Sequence, residues 1–212
     1  GAVFNTAKVE AGSSVAVFGA GGIGLNAIQG AALAGAEQII AIDLADLKLT
    51  FARDFGATHV INPRKDGEVV KMIRGMTDGG ADYAFEVIGF PGIVRLAFEC
   101  VRPGGTAVMV GVPPHGADIS IPAQPLFMDR TLMGTFYGAG RPRVDFPWLL
   151  DLYMDGRLKL DVALFSLGGM KVLNAIEGQL YDVLGRRPRV SSAAKARLMA
   201  GTALKLKLLG KV

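Results

Sequence analysis

The sequence predicts an α/β protein with a doubly wound, six-stranded parallel sheet. Strand and helix signals alternate for about 140 residues, which is typical of a parallel sheet covered by helices on both faces. A glycine-rich turn joins the first strand to the first helix, and an aspartate follows the second strand. These three observations indicate both the fold class and the position of a functional site.

The glycine-rich turn has the sequence GAGGIG at residues 19–24 and follows an apolar run at residues 15–18. This is the layout of a dinucleotide-binding strand–turn–helix unit. Gly19 permits the tight turn out of the strand, and Gly21 allows the backbone to approach a pyrophosphate. Gly24 lets the helix pack closely on the sheet.

The first helical amides and the next strand supply the remaining parts of such a unit. The N–H groups around Gly22 and Ile23 would be free at the helix N-terminus, where they and the helix dipole favour an anion. Residues 39–42 indicate a buried strand, and Asp43 follows it near the spacing of an acid that binds ribose hydroxyls. Its charge would repel a 2′-phosphate, so NAD is expected rather than NADP. Lys48 either contacts the ribose or is simply solvated.

Other interpretations of the turn stay open. The glycines can form a purely structural turn beside a solvated acid, and S-adenosylmethionine sites also combine a glycine turn with a strand-end acid. The third glycine favours the dinucleotide. The sequence has no Tyr-x-x-x-Lys pair of a short-chain dehydrogenase, no nucleophile elbow and no P-loop lysine.

The remaining elements follow from apolar periodicity and from glycine or proline breakers. A helix at 47–55 ends at Gly56, and a short strand at 59–61 is closed by a proline. A helix at 68–76, a strand at 83–87 and a helix at 93–101 follow, and a Pro-Gly-Gly sequence stops the last of these. Strands at 106–110 and 132–137 and a helix at 146–154 complete the series. Six strands make the full Rossmann fold, with the cofactor across their carboxyl ends.

Composition limits the function classes. The chain has 212 residues, of which 50% are hydrophobic and 20% charged, enough for one sizeable domain with an appendage. No apolar run reaches the roughly 18 residues of a membrane span, and the first residues lack a signal-peptide pattern, so a cytoplasmic protein is expected. One cysteine, Cys100, excludes an internal disulfide.

The net charge of +4 is unevenly distributed. Eight basic residues and no acidic residue follow Gly185, so the preceding part of the chain is mildly acidic and is not expected to bind nucleic acid. Residues 193–209 could form a cationic amphipathic helix on anionic lipid. A frayed tail is the favoured interpretation, and membrane contact is not expected.

Six motifs, in order and spacing, resemble the coenzyme-binding domain of medium-chain, zinc-type alcohol dehydrogenases over residues 1–164. They are NTAKV at 5–9, VFGAGGIGLN at 17–26, FGATH at 55–59, FEVIG at 85–89, VGVPP at 110–114 and GTFYG at 134–138. The resemblance implies hydride transfer between alcohols or aldehydes and NAD(H), with a catalytic zinc held by a separate domain. An alternative from another class is a non-catalytic module that senses NAD.

The resemblance also assigns roles along the chain, with no catalytic residue among them. It implies pyrophosphate contacts from Gly21, Gly22 and Ile23, and ribose contacts from Asp43 and Lys48. It further implies that Val87 and Ile88 line the adenine side of the site. Val110, Gly111 and Val112 would flank the nicotinamide, with backbone groups of Val110 and Val112 available to its carboxamide. Thr135 and Tyr137 would make further contacts there. For Val87 and Val110, ordinary sheet core is an equal alternative.

The resemblance implies a homodimer through the sheet edge at residues 119–135, and an exposed edge strand suits such pairing. A catalytic zinc needs three protein ligands, but the chain has one Cys and two His at no metal-site spacing. His59 is expected to be structural and His115 an exposed loop residue. The resemblance implies that the zinc ligands lie upstream of residue 1. Residues 1–165 are therefore expected to form an NAD-binding domain without turnover, followed by a divergent tail at 166–212.

Overall fold

Six parallel strands pair in one sheet in a computed structural model that describes residues 1–159. The strands are β1 (Ser14–Phe18), β2 (Gln38–Ile42), β3 (His59–Ile61), β4 (Ala81–Glu86), β5 (Val101–Met109) and β6 (Thr131–Gly134). Their order across the sheet is β3-β2-β1-β4-β5-β6, and every neighbouring pair is parallel. The predicted fold class is confirmed.

Helices between the strands cover both faces of the sheet. They are α1 (Gly22–Leu33), α2 (Asp46–Asp54), α3 (Pro63–Asp66), α4 (Val69–Met76), α5 (Pro91–Cys100) and α6 (Ala123–Phe127), and a further helix, α7 (Pro142–Met154), follows β6 in the chain. A π-helical segment, Ala2–Ala7, precedes β1, and a 3₁₀ turn, Tyr137–Ala139, follows β6. Contacts divide the chain into a unit Gly1–Gly140 and a second unit that begins at Arg141 and contains α7. The boundary predicted at 165 and the tail at 166–212 lie outside the described residues.

The core forms two layers because alternate residues of each strand point to opposite faces of the sheet. Val15 and Val17 of β1 pack in the layer that contains Ile28 of α1. Ala16 and Phe18 pack in the other layer, with Ile73 of α4 and Phe98 of α5 among its members. Burial on both faces explains why the strands read as continuous apolar runs.

The strand order reverses at β1, which positions the site. From β1 the chain crosses to β2 and β3 on one side and then returns to β4 on the other side. Connections therefore leave the carboxyl ends of β1 and β4 in opposite directions, and a crevice opens between them.

Element boundaries differ from the predictions where local geometry interrupts the periodicity. β6 ends at Gly134 rather than at residue 137, because Tyr137 already has a left-handed backbone with φ 48°. β5 begins at Val101 rather than at 106, because it pairs with Ala81 across the Pro-Gly-Gly sequence that was expected to separate helix from strand. The helix predicted at 146–154 begins at Pro142, since proline suits the first helical turn.

Gly24 marks the closest approach between α1 and the end of β1. It is buried, and a Cβ there would overlap the carbonyl oxygen of Gly19 and lie 3.3 Å from Val87 Cγ2. We therefore expect Gly24→Ala to lower the free energy of unfolding by about 2–3 kcal/mol, measured by urea denaturation.

Gly75→Ala in α4 is the matched control, because the site is exposed and no heavy atom lies within 4 Å of an added Cβ. There the same substitution is expected to stabilise by about 0.5–1 kcal/mol through helix propensity. Equal effects at the two glycines would contradict the close packing of α1.

Candidate functional site

The predicted site residues lie along the carboxyl edge of the sheet, at the ends of five adjacent strands. The turn at 19–24 follows β1, Asp43 and Lys48 follow β2, Val87 and Ile88 follow β4, Val110 to Val112 follow β5, and Thr135 and Tyr137 follow β6. Because the strands are parallel and neighbouring, the structure brings these segments to one side of the sheet.

The glycines of the turn divide into two kinds. Gly19 has φ +102°, and a Cβ on it would lie 2.8 Å from Ile88 Cγ1, so the fold itself requires glycine there, as it does at Gly24. Gly21 and Gly22 have ordinary backbone angles, and an added Cβ would meet nothing within 4 Å. Within the described residues, packing gives no reason for glycine at these two positions. The surface above them is open to a ligand.

The first turn of α1 presents unengaged donors beside this open surface. The first helical bond runs from the Leu25 N–H to the Gly21 carbonyl at 2.8 Å. No group within residues 1–159 accepts a hydrogen bond from the amides of Gly22, Ile23 or Gly24. Gly21 supplies no side-chain cap, and the first turn holds no acidic residue. A helix start of this kind favours an anionic ligand.

Asp43 is fixed between the glycine turn and α2. Its Oδ2 accepts from the Ala20 amide at 2.9 Å, and its Oδ1 accepts from the Ala45 amide at 3.0 Å. The Lys48 ammonium lies 3.4 Å from Oδ2, with 51% of its side chain exposed against 10% for Asp43. An exposed pair of this kind adds little stability. The carboxylate is therefore oriented mainly by backbone donors, and each oxygen keeps acceptor capacity.

The loops that follow β4 and β5 form a backbone-to-backbone contact at Gly89 and Gly111. Gly89 has φ +86°, and a Cβ on Gly111 would lie 2.7 Å from the Ile88 carbonyl carbon. Ile88 and Val112 are exposed on either side of this contact, whereas Gly111 is buried. The Val110 amide donates to the Glu86 carbonyl at 2.8 Å, so this amide is not available to a ligand.

Glu86 organises this contact, and the sequence interpretation did not include it among the site residues. The side chain is fully buried, and its Oε1 accepts from the amides of Ile88 at 2.8 Å, Gly89 at 2.7 Å and Phe90 at 3.4 Å. Its Oε2 is buried with no hydrogen-bond partner among the described residues. The sequence signal that could have identified Glu86 is an acidic residue at the end of an apolar strand, because an acid buried there needs hydrogen-bond donors.

The described residues do not form a metal site. Over residues 1–159 no group of three or more His, Cys, Asp or Glu side chains could hold a metal ion. Burial raises the pKa of the Cys100 thiol to about 12, and the thiol donates to the Ala97 carbonyl. His59 Nδ1 lies 2.9 Å from the Thr58 hydroxyl, and His115 is exposed in a loop. The same residues include no helix long and apolar enough to cross a membrane.

A doubly wound sheet with a glycine turn before α1 and an acid after β2 is the architecture of dehydrogenase coenzyme-binding domains. The zinc-binding dehydrogenase family model matches residues 22–155, and the chain belongs to this family. It contains the coenzyme-binding domain of zinc-type alcohol dehydrogenases.

Individual relatives agree with this assignment. The chain is 46% identical over 168 residues to S-(hydroxymethyl)glutathione dehydrogenase of Paracoccus denitrificans. The matched region covers 76% of this chain and 45% of that protein. It is 45% identical over 163 residues to alcohol dehydrogenase class-3 of Zea mays, covering 76% and 43%. The solved benzyl alcohol dehydrogenase of Acinetobacter calcoaceticus matches with a TM-score of 0.73 and 31% identity, covering 82% of this chain and 50% of that one. The chain thus spans about half the length of these relatives.

Replacement of Glu86 tests its role in holding the strand ends. Glu86→Leu would leave the partly buried amide of Ile88 and the buried amide of Gly89 without an acceptor, so we expect a loss of about 2–4 kcal/mol of unfolding free energy. Glu86→Gln keeps one acceptor oxygen and is expected to lose about 1 kcal/mol.

Hydrogen exchange at the same two amides gives an independent measurement. They should exchange faster in Glu86→Leu than in Glu86→Gln. If the leucine variant is as stable as the glutamine variant and equally protected, the carboxylate does not hold this loop.

Proposed function

We propose that this chain is the NAD(H)-binding part of an oxidoreductase that interconverts alcohols and aldehydes or ketones by hydride transfer. One observation carries the proposal: the unengaged amides of the exposed residues Gly22 and Ile23 lie beside the turn that the carboxylate of Asp43 holds. A diphosphate fits the amides, since they are donors at the positive end of a helix. A ribose fits the carboxylate, which accepts from hydroxyls.

The sheet order supports different locations for the two halves of a dinucleotide. With the diphosphate at the start of α1, Asp43 would direct the adenosine half toward β2. The other half then extends toward the ends of β4, β5 and β6, where Ile88 and Val112 are exposed. Bound NAD would supply the hydride acceptor, and this chain's residues would bind and orient it. Apolar side chains beside that half would limit the access of water.

The charge and burial of Asp43 support NAD over NADP. Each hydrogen bond from a ribose hydroxyl to the carboxylate contributes about 1.5–3 kcal/mol, because the acceptor is charged. A 2′-phosphate would instead meet this negative charge. Lys48 could offset part of the repulsion, but its side chain is much more exposed than that of Asp43 and is held by no other residue in the described part of the chain.

The metal-dependent part of the reaction is proposed to lie outside these 212 residues. The described residues do not fit a zinc site, and the chain spans 45% of the Paracoccus denitrificans relative and 43% of the Zea mays one. We therefore expect the chain alone to bind NADH without catalysing alcohol oxidation. Within the whole enzyme, an alcohol or aldehyde would meet the nicotinamide beside the ends of β5 and β6.

Isothermal titration of the 212-residue chain with NADH and NADPH tests the cofactor assignment. Asp43→Asn removes the charge while keeping an oxygen for a backbone amide. We expect NADH to bind about tenfold more weakly to this variant and the NADPH affinity to change by less than about twofold.

Asp54→Asn is the matched control, because it removes the same charge from an exposed position at the end of α2. It should leave both affinities unchanged. Equal losses for NADH and NADPH in Asp43→Asn would contradict the ribose assignment. Binding of S-adenosylmethionine in place of NADH would favour a methyltransferase.

We also propose that two copies of the chain associate through the edge strand β6 and the segment before it. β6 pairs only with β5 among the described residues, so its other edge pairs with no strand in this part of the chain. The preceding helix α6 ends at Phe127, which is 89% exposed, and Leu126 and Met128 are exposed beside it. Together these residues form an apolar surface that a second copy would cover.

Light scattering of matched variants tests this association. Phe127→Glu places a charge on the proposed interface and is expected to give a monomer where the parent chain gives a dimer. Phe51→Glu introduces the same change at an exposed position of α2, near the opposite side of the sheet, and should remain a dimer. A monomeric parent chain would exclude the interface.

A further inference from the structure

The turn after β6 adopts a backbone that side chains rarely tolerate. Tyr137, Gly138 and Ala139 are consecutive and left-handed, with φ of 48°, 64° and 49°. Only the central residue is a glycine, so two residues with side chains are held in a costly conformation. Such a conformation persists only when neighbouring contacts impose it, and it is concentrated at functional sites.

The contacts that impose it come from the π-helical segment Ala2–Ala7. A Cβ on Gly138 would lie 2.7 Å from the Ala2 nitrogen, so the two backbones touch with no room for a side chain. The hydroxyls of Thr6 and Thr135 are hydrogen-bonded at 2.7 Å. The turn is therefore held at its centre, Gly138, and at Thr135, two residues before it begins.

The same segment also packs against α1, the helix that follows the glycine turn. Val3 is buried, and a Cβ on Gly30 of α1 would lie 3.2 Å from its Cγ2. Segment Ala2–Ala7 thus contacts α1 on one side and the turn after β6 on the other. It therefore bridges the middle of α1 and the turn after β6.

The fixed turn displays one large side chain. Tyr137 is 87% exposed and makes an edge-to-face contact with the exposed Phe136, with ring centroids 4.5 Å apart. The Thr135 N–H donates to the Met109 carbonyl at 3.0 Å, so the start of the turn lies beside the end of β5. This is the region left to the nicotinamide half once Asp43 takes the adenosine half.

We infer that segment Ala2–Ala7 is a brace that holds the turn Tyr137–Ala139 in position for the nicotinamide half of the bound dinucleotide. Thr6 and Thr135 are positioning residues, since each hydroxyl binds the other. Gly138 is required because the brace packs directly against it. This inference rests on the proposed cofactor function and adds the residues that would distinguish the two ends of the ligand.

Titration with NADH and ADP-ribose tests the brace, because ADP-ribose shares the adenosine and diphosphate and lacks the nicotinamide. The parent 212-residue chain is expected to bind NADH several-fold more tightly than ADP-ribose. Thr6→Val removes the hydroxyl at constant shape and should weaken NADH about fivefold, with ADP-ribose changed by less than about twofold. Gly138→Ala should weaken NADH by about tenfold or more.

Control variants and a second readout separate positioning from general damage. Thr6→Ser restores the hydroxyl and should recover NADH binding, and Thr50→Val on exposed α2 should change neither ligand. Polarisation of nicotinamide fluorescence in the NADH complex should fall in Thr6→Val and recover in Thr6→Ser. ADP-ribose binding that persists in Gly138→Ala would show that the variant is folded.

The outcomes distinguish this inference from the function on which it rests. Equal losses for NADH and ADP-ribose, or no loss for either, would overturn the brace while NADH binding by the parent chain upheld the cofactor function. Equal affinities of the parent chain for the two ligands would also overturn the brace, because the nicotinamide would then contribute nothing. Failure of the parent chain to bind either ligand would overturn both proposals.

Discussion

The contact between Gly24 and the Gly19 carbonyl is the constraint on which the rest of the structure depends. It brings the first turn of α1 directly onto the end of β1, closer than any side chain would permit. That approach aims the amides of Gly22 and Ile23 into the crevice where the strand order reverses. A helix displaced outward by one methyl group would retain its dipole but would direct these donors elsewhere.

Two carboxylates extend this arrangement to either side of β1, mainly by accepting hydrogen bonds from backbone amides. Asp43 accepts from the glycine turn and from the start of α2, while keeping capacity for a further donor. Glu86 is fully buried and gathers three amides of the loop after β4 on a single oxygen. Asp43 stays partly exposed at the site proposed for a ribose, whereas Glu86 is fully buried where it holds a loop.

The part of the carboxyl edge formed by β4, β5 and β6 is built by contacts between segments far apart in the chain. Gly89 and Gly111 let the loops after β4 and β5 touch, and Thr6 reaches Thr135 across the described chain. Among the described residues, these contacts hold the loops that carry the exposed side chains of Ile88 and Val112. Family membership is consistent with this division between a fixed scaffold and an open ligand surface, since loops on a rigid sheet commonly carry binding residues.

The sequence by itself determined the six strands, their parallel arrangement and the glycine turn, because apolar periodicity and glycine positions report local backbone requirements. It could also place Asp43 at a strand end. Only the tertiary structure showed that the amides of Ala20 and Val110 are already engaged, and that Glu86 and Thr6 hold other parts of the site. Those facts depend on partners that lie across the sheet, and no local pattern records which distant group will satisfy a given donor. For the same reason the end of β6 was misplaced: its left-handed turn is imposed by the segment Ala2–Ala7, at the other end of the described chain.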